Sequence, residues 1–377
     1  MREVYLDNSA TTKVSEKAAK KATEMMEKIF GNPSSLHQKG FEAQKEVEKA
    51  KEIIAKEIGA DTDEIYFTSG GTEANNLAIL GAVNAMRRKG NKIVTSAIEH
   101  SSVYETCRYL ESTGIQVVYL KSDITGRISK NQILSAIDEK TILVTMMMVN
   151  NEIGSILPVD QIRNCIEQKK SPAIFHVDAV QAFGKIPVKV SKLKADLISA
   201  SAHKVHAPKG CGFLYKSKNT RIAPIFFGGE QQGKVRPGTE AASLIAAFGE
   251  AVSEFNLSEN YGKVSNLRDY LMEELGKIEG VTINSSRDGI PYVVNFSTGK
   301  VKAETMLNFL SSKGIYVSGG SACAKGKKSR VLKNIGLLDE KITSSIRVSF
   351  SKYNSKQDID DLIKYLKEGL SSFSGSN

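Results

Sequence analysis

Three short stretches of this sequence carry residue types that together could hold a phosphate, protonate a heterocycle and form an imine. In "TSGGTEANN" (68–76), Gly70 and Gly71 permit close backbone approach, and Thr72 offers a hydroxyl where a helix begins; that arrangement suits a phosphate. No G-K-[ST] follows, so this is not a Walker loop. "HVDAVQ" (176–181) ends an apolar run on Asp178, a carboxylate that needs a cationic or hydrogen-bonding partner once buried. "SASAHKVHAPKG" (199–210) gathers Ser201, His203 and Lys204 among small residues before a Pro-Lys-Gly turn. Each stretch alone has a plainer reading: a glycine turn with a threonine cap, a helix cap or internal salt bridge, and a surface turn. In this order along one chain they meet the needs of pyridoxal 5'-phosphate, which are a cradle for the phosphate, an acid for the ring nitrogen and a lysine for the aldehyde.

A fourth stretch, "SGGSACAKGKK" (318–328), sets Cys323 among small residues and lysines. Lys325, Lys327 and Lys328 favour the thiolate, although water screens exposed charges. Cys107, Cys165 and Cys211 read as small core or near-core residues, and His37 and His206 as structural or solvated. The four cysteines are far apart and form no C-x-x-C, so neither a zinc site nor a disulfide framework is expected, and a reducing cytoplasm is.

Elements able to position these groups are legible in the chain of 377 residues. From 64 to 216, strand-length apolar runs alternate with helix-period segments: "EIYFT", "KIVTS", "QVVYL", "TILVTMMMV", "AIFHVDAV", "DLISAS" and "GFLYK". That alternation predicts an α/β fold with a mostly parallel sheet flanked by helices, its ligands at the carboxyl ends of the strands. Beyond about 255, a helical stretch (260–277), "YVVNFST", "SIRVSFS" and a closing helix (356–370) predict a smaller α+β domain. The expected division is a large domain over 15–255 and a small one over 256–377, joined by the segment 1–14. "MREVYLDNSATT" has no apolar core segment, and "TILVTMMMV" is too short to span a bilayer, so neither a secretory leader nor a membrane span is expected. The net charge of +10 is spread over helices such as "EAQKEVEKAKEIIAKEIGA", where acids alternate with bases, and no aromatic-interleaved basic motif accompanies it. Direct nucleic-acid binding is therefore not expected.

Ordered motifs along almost the whole chain resemble the cysteine desulfurases, a class V branch of the aspartate-aminotransferase-like enzymes of fold type I. They are "YLDNSATT", "GNPSSLH", "FTSGGTEANN", "EHSSV", "VNNEIG", "HVDAVQ", "SASAHK", "APKGCG", "RPGTE", "SGGSACA" and "RVSFS". The loop is of the long "SGSAC" group, with Gly319 where many relatives carry serine.

The resemblance implies conversion of L-cysteine to L-alanine, with sulfur left on Cys323 as a persulfide and passed to an acceptor protein. It implies that Lys204 bonds the cofactor and carries the α-proton, that Asp178 meets the pyridine nitrogen and that Gln181 meets the phenolic oxygen. His100 is implied to stack on the ring and assist proton transfer. The implied phosphate ligands are Gly71, Thr72, Ser201 and His203, with Thr239 reaching in from the second subunit of a homodimer. Arg347 is implied to clamp the substrate carboxylate, helped by Asn32 and by Asn151, which also borders the cofactor. A selenocysteine lyase and a class V aminotransferase share this scaffold and stand as alternatives. A basic RNA-binding protein that uses the scaffold without catalysis is the non-enzymatic one.

Overall fold

The computed structural model describes residues 2–319 and 328–373. At its centre lies a seven-stranded sheet. From one edge to the other its strands are Ile65–Thr68, Gly212–Lys216, Leu197–Ser201, Ile174–Asp178, Thr141–Met147, Lys92–Ser96 and Gln116–Leu120. All neighbours run parallel except Gly212–Lys216, which is antiparallel to both of its partners. Thr141–Met147 is buried at every residue, which explains why its sequence is mostly apolar and does not alternate: helices cover both faces of a parallel sheet.

The helices follow the expected periodicity, with shifted ends. Gln38–Ile58 buries Ala43, Val47, Ala50, Ile54 and Ile58, spaced three and four apart, and turns its charged residues outward. His37 caps its first turn through a bond from Gly40 N, and Gly59 ends it in the left-handed conformation at φ 71°. The helix that follows the strand Ile65–Thr68 starts at Gly71, so the glycine itself forms the helix N-terminus. The helix Ala242–Ser253 carries almost no charge and packs on Glu16–Glu27 and Gln38–Ile58. Its approach is close enough that a Cβ on Gly249 would meet Ala50 Cα at 2.7 Å.

A three-stranded antiparallel sheet, Thr282–Ile283, Val293–Ser297 and Ser345–Ser349, forms the centre of the carboxyl-terminal part. The amino-terminal segment reaches this part: Val4–Tyr5 pairs in parallel with Ile315–Tyr316, and Asp7 bridges to Ser349. Residues 9–12 then cross to the large sheet, where Thr12 N donates to His203 O. Among the described residues no helix is long and apolar enough to cross a membrane, and no cluster of acids, histidines and cysteines could hold a metal ion.

Candidate active site

The carboxyl ends of the parallel strands open into a cavity of about 850 Å³. Gly71, Thr72, His100, Asn151, Asp178, Gln181, Ser201, His203, Lys204 and Arg347 all line it, although they come from six separate stretches of chain. Strand ends account for most of this convergence: Asp178 and Ser201 each terminate a strand, and Gly71 and His100 follow shortly after two others.

One end of the cavity has the features of an anion cradle. Gly71 and Thr72 sit at the N-terminus of a sixteen-residue helix, where unpaired amides and the helix dipole attract negative charge. A Cβ on Gly71 would meet Val180 Cγ2 at 2.7 Å, so the close packing there needs glycine. Ser201 Oγ lies in this wall, 2% exposed as a residue and without a hydrogen-bond partner among the described residues. A buried hydroxyl left unsatisfied costs stability, and a bound phosphate would satisfy it. His203 faces the same region, with its pKa lowered to about 4 by burial first and then by Lys204, Lys209 and Lys185. It is therefore neutral at physiological pH.

Deeper in, Asp178 is almost fully buried, and its two oxygens accept from Asn75 Nδ2 at 2.8 Å and Val180 N at 2.9 Å. Asn75 carries no residue-type signal of this role in "GGTEANN", because only the fold brings it beside Asp178. Its second amide hydrogen goes to Ser102 Oγ at 2.9 Å, which in turn lies 2.8 Å from His100 Nδ1. Ser102 N also donates to that Nδ1 at 3.1 Å, so Nδ1 is an acceptor and the imidazole proton sits on Nε2. Burial is the main cause of the lowered His100 pKa; Lys204 and Arg330 lower it further and Asp178 opposes them. His100 is thus a neutral imidazole of fixed tautomer, and it also caps the helix Ser101–Ser112.

Lys204 Nζ donates to Ser9 O at 2.6 Å and Ala10 O at 2.8 Å. Here the amino-terminal segment contributes backbone carbonyls, which no reading of side-chain types could assign. Gln181 Nε2 reaches Ser9 O as well, at 3.1 Å. On the facing side Arg347, 1% exposed, donates through NH1 to Asn151 O at 3.0 Å and through NH2 to Asp7 Oδ1 at 2.7 Å. Its Nε has no partner among the described residues. Asp7 is a second residue whose position the sequence did not signal. Arg330 donates to the carbonyls of Ala97 and Glu99, and its guanidinium lies 3.8 Å above the Tyr104 ring.

Two expected residues lie elsewhere. Asn32 is exposed and does not line the cavity; its Oδ1 accepts from Ser34 N at 3.0 Å within a local turn. Thr239 is also exposed and outside the cavity of its own chain. Cys323 lies outside the described residues. Cys107, Cys165 and Cys211 are buried, as expected of core thiols, and burial raises the pKa of all three. His37 and His206 hold structural positions: the first caps a helix, and the second donates from Nδ1 to Lys13 O.

Residues 4–362 match the aminotransferase class-V family. The chain is 40% identical to the cysteine desulfurase IscS of Dictyoglomus turgidum, over 99% of this chain and 96% of that one. A solved NifS-like protein superposes with a TM-score of 0.92 at 34% identity, covering 99% of this chain and 100% of its own. The solved protein SspA, in complex with cysteine, superposes with a TM-score of 0.82 at 33% identity, covering 93% of this chain and 100% of its own. With most of the expected site residues around one cavity and the likeness running end to end, the chain belongs to the class-V aminotransferase family, in its cysteine desulfurase branch.

Proposed function

We infer that the protein is a pyridoxal-phosphate-dependent cysteine desulfurase, acting on L-cysteine and passing its sulfur through Cys323. The observation that carries this reading is the placement of Lys204, Asp178 and an unsatisfied Ser201 hydroxyl around one cavity, with the buried Arg347 facing them. When bound, pyridoxal phosphate supplies a ring that accepts electrons from the substrate's α-carbon.

The chain's own groups have distinct tasks. Gly71, Thr72, Ser201 and His203 hold the phosphate, and Asp178 holds a proton at the ring nitrogen. Gln181 donates to the phenolic oxygen. Arg347 orients the substrate carboxylate, with Asn151 beside it. Lys204 Nζ would accept the α-proton, and His100, bearing its proton on Nε2, would hand protons to the reacting atoms. Cys323 then attacks the substrate sulfur as a thiolate. One S–S bond forms and the substrate Cβ–S bond breaks; the β-carbon keeps the bonding electrons and takes a proton, giving L-alanine and a Cys323 persulfide. A thiol reductant releases the sulfur as sulfide and restores Cys323. In the cell an acceptor protein takes that place.

Thr239 belongs to this reading as a phosphate ligand offered to a second copy of the chain, so the working unit is a homodimer. Asn32 is assigned to the substrate's surroundings on the same basis. Incubation with L-cysteine and dithiothreitol tests the function: equal amounts of alanine and sulfide should appear, and borohydride should fix the cofactor on Lys204. Consumption of a keto acid without sulfide release, or the reduced adduct on another lysine, would overturn it. Turnover of selenocysteine with no turnover of cysteine would instead favour the lyase.

A further inference from the structure

Behind Gln181 lies a second buried lysine that the reaction as described does not use. Lys185 is 6% exposed, and its Nζ donates to Gln181 Oε1 at 2.7 Å. It follows Gln181 by four residues in tight turns after the strand Ile174–Asp178, one of them made by Gly184 at φ 73°. The Tyr292 ring lies 5.9 Å from Nζ. Lys204, His206, Glu254 and Lys352 line the same small void as Lys185. Burial first, then Lys204 and Arg347, lower its pKa to about 7. A charged amine held there is costly unless its hydrogen bonds are made.

A carboxamide can turn either end toward a ligand, and its neighbours decide which. At one end of Gln181 stands an amine with hydrogens to give, which calls for the oxygen. At the other stands Ser9 O, a carbonyl that can only accept, which calls for the nitrogen. Ser9 O is shared with Lys204, so this second constraint is divided between two donors. The Lys185 contact has no such competitor on Gln181 Oε1 among the described residues. What Gln181 can then show the cavity is its remaining Nε2 hydrogen.

We propose that Lys185 is a positioning residue that fixes the Gln181 carboxamide so that it acts as a hydrogen-bond donor to the cofactor's phenolic oxygen. The proposal rests on the reading that Gln181 meets that oxygen. A donor there favours the anionic oxygen, so it lowers the pH at which the cofactor's visible absorption band titrates.

The test is a pH titration of that band in the holoenzyme, for Lys185→Met, Gln181→Met and the double variant. Lys185→Met should raise the midpoint by roughly one pH unit, the scale of one hydrogen bond to a charged oxygen. In the Gln181→Met background the same substitution should add nothing. An unmoved midpoint in Lys185→Met, or an equal rise with and without Gln181, would overturn the proposal, the second by showing that Lys185 acts through its charge alone. An unmoved midpoint in Gln181→Met would instead overturn the reading of Gln181 itself. Should Lys185→Met not fold, Lys185→Gln, whose amide can turn either way, should move the midpoint in the same direction by a smaller amount; no movement there overturns the proposal equally.

Discussion

Arg347→Ala should weaken L-cysteine binding, and the structure bounds by how much. The guanidinium already gives one hydrogen from NH1 to Asn151 O and one from NH2 to Asp7 Oδ1. One further hydrogen on each, and the unpartnered Nε–H, are what the substrate carboxylate can use. Hydrogen bonds to charged groups contribute about 1.5–3 kcal/mol. Asp7 stands 2.7 Å from NH2 and partly neutralises the arginine, which places the expected effect in the lower half of that range. A loss of about 1.5–2 kcal/mol corresponds to roughly 10- to 30-fold weaker binding. The assay is titration of L-cysteine against the cofactor absorbance in a Cys323→Ser background, where binding proceeds without sulfur transfer. Asp7→Asn is the companion variant: it keeps the shape, removes the ion pair and should lower thermal stability. Wild-type affinity in folded Arg347→Ala would refute this account and move the carboxylate site elsewhere.

Cys323→Ser should stay yellow and bind L-cysteine yet form no persulfide; mass mapping of wild type should place the extra sulfur on the Cys323 peptide, and sulfur on Cys107, Cys165 or Cys211 would contradict this. A dimer-disrupted variant checked by sedimentation should bind pyridoxal phosphate poorly, because Thr239 lies outside its own chain's cavity; a fully active monomer would exclude that role. His176, whose pKa burial lowers to about 3, stays neutral in the fold while the unfolded chain takes up a proton below about 6.5. The stability this contributes is complete above the unfolded value and is lost as pH falls toward the folded one. His176→Gln should therefore reduce the slope of unfolding free energy between pH 6 and 4 by up to about 1.4 kcal/mol per pH unit, and an unchanged slope would refute the assignment.

Much of the site could be read from sequence because the parallel strands deliver their chemistry at one edge. Asp178, Ser201 and the Gly71 turn each stand at a strand end or just beyond one, where sheet topology forces them together. What escaped was of two kinds. Backbone carbonyls at Ser9 and Ala10 carry no residue-type signal, and their role depends on the amino-terminal segment crossing between the two parts of the molecule. Asn75, Lys185 and Asp7 act on other side chains, so their meaning appears only in pairwise distances. The helix Ala242–Ser253 escaped for a simpler reason. It is apolar around most of its surface, with buried Ile245, Ala246, Ala247, Phe248, Ala251 and Val252, and so lacks the amphipathic period by which surface helices are recognised.

Several charged groups around the cavity are held by neutral dipoles. Asp178 is held by the amide of Asn75 and by Val180 N, Lys185 by the Gln181 amide oxygen, and Arg330 by two backbone carbonyls and the Tyr104 ring. Asp7 pairs with Arg347, but two other nearby acids, Glu99 and Glu152, are pushed toward neutrality. Burial raises Glu99 to about 8, against the opposing bonds from Ser96 and Met147, and burial likewise raises Glu152. Neutral dipoles satisfy a charge without cancelling it, so the cavity keeps a negative group at one point and positive groups at others. Such a site costs folding stability, since buried charges held by dipoles are poorly compensated for lost water. It recovers that stability when a ligand brings a phosphate, a ring N–H and a carboxylate to the matching points, with the dipoles already in place and no reorganisation left to make. Binding of pyridoxal phosphate should accordingly raise the melting temperature of the cofactor-free protein, by more in wild type than in Ser201→Ala, whose cradle no longer has a hydroxyl to satisfy.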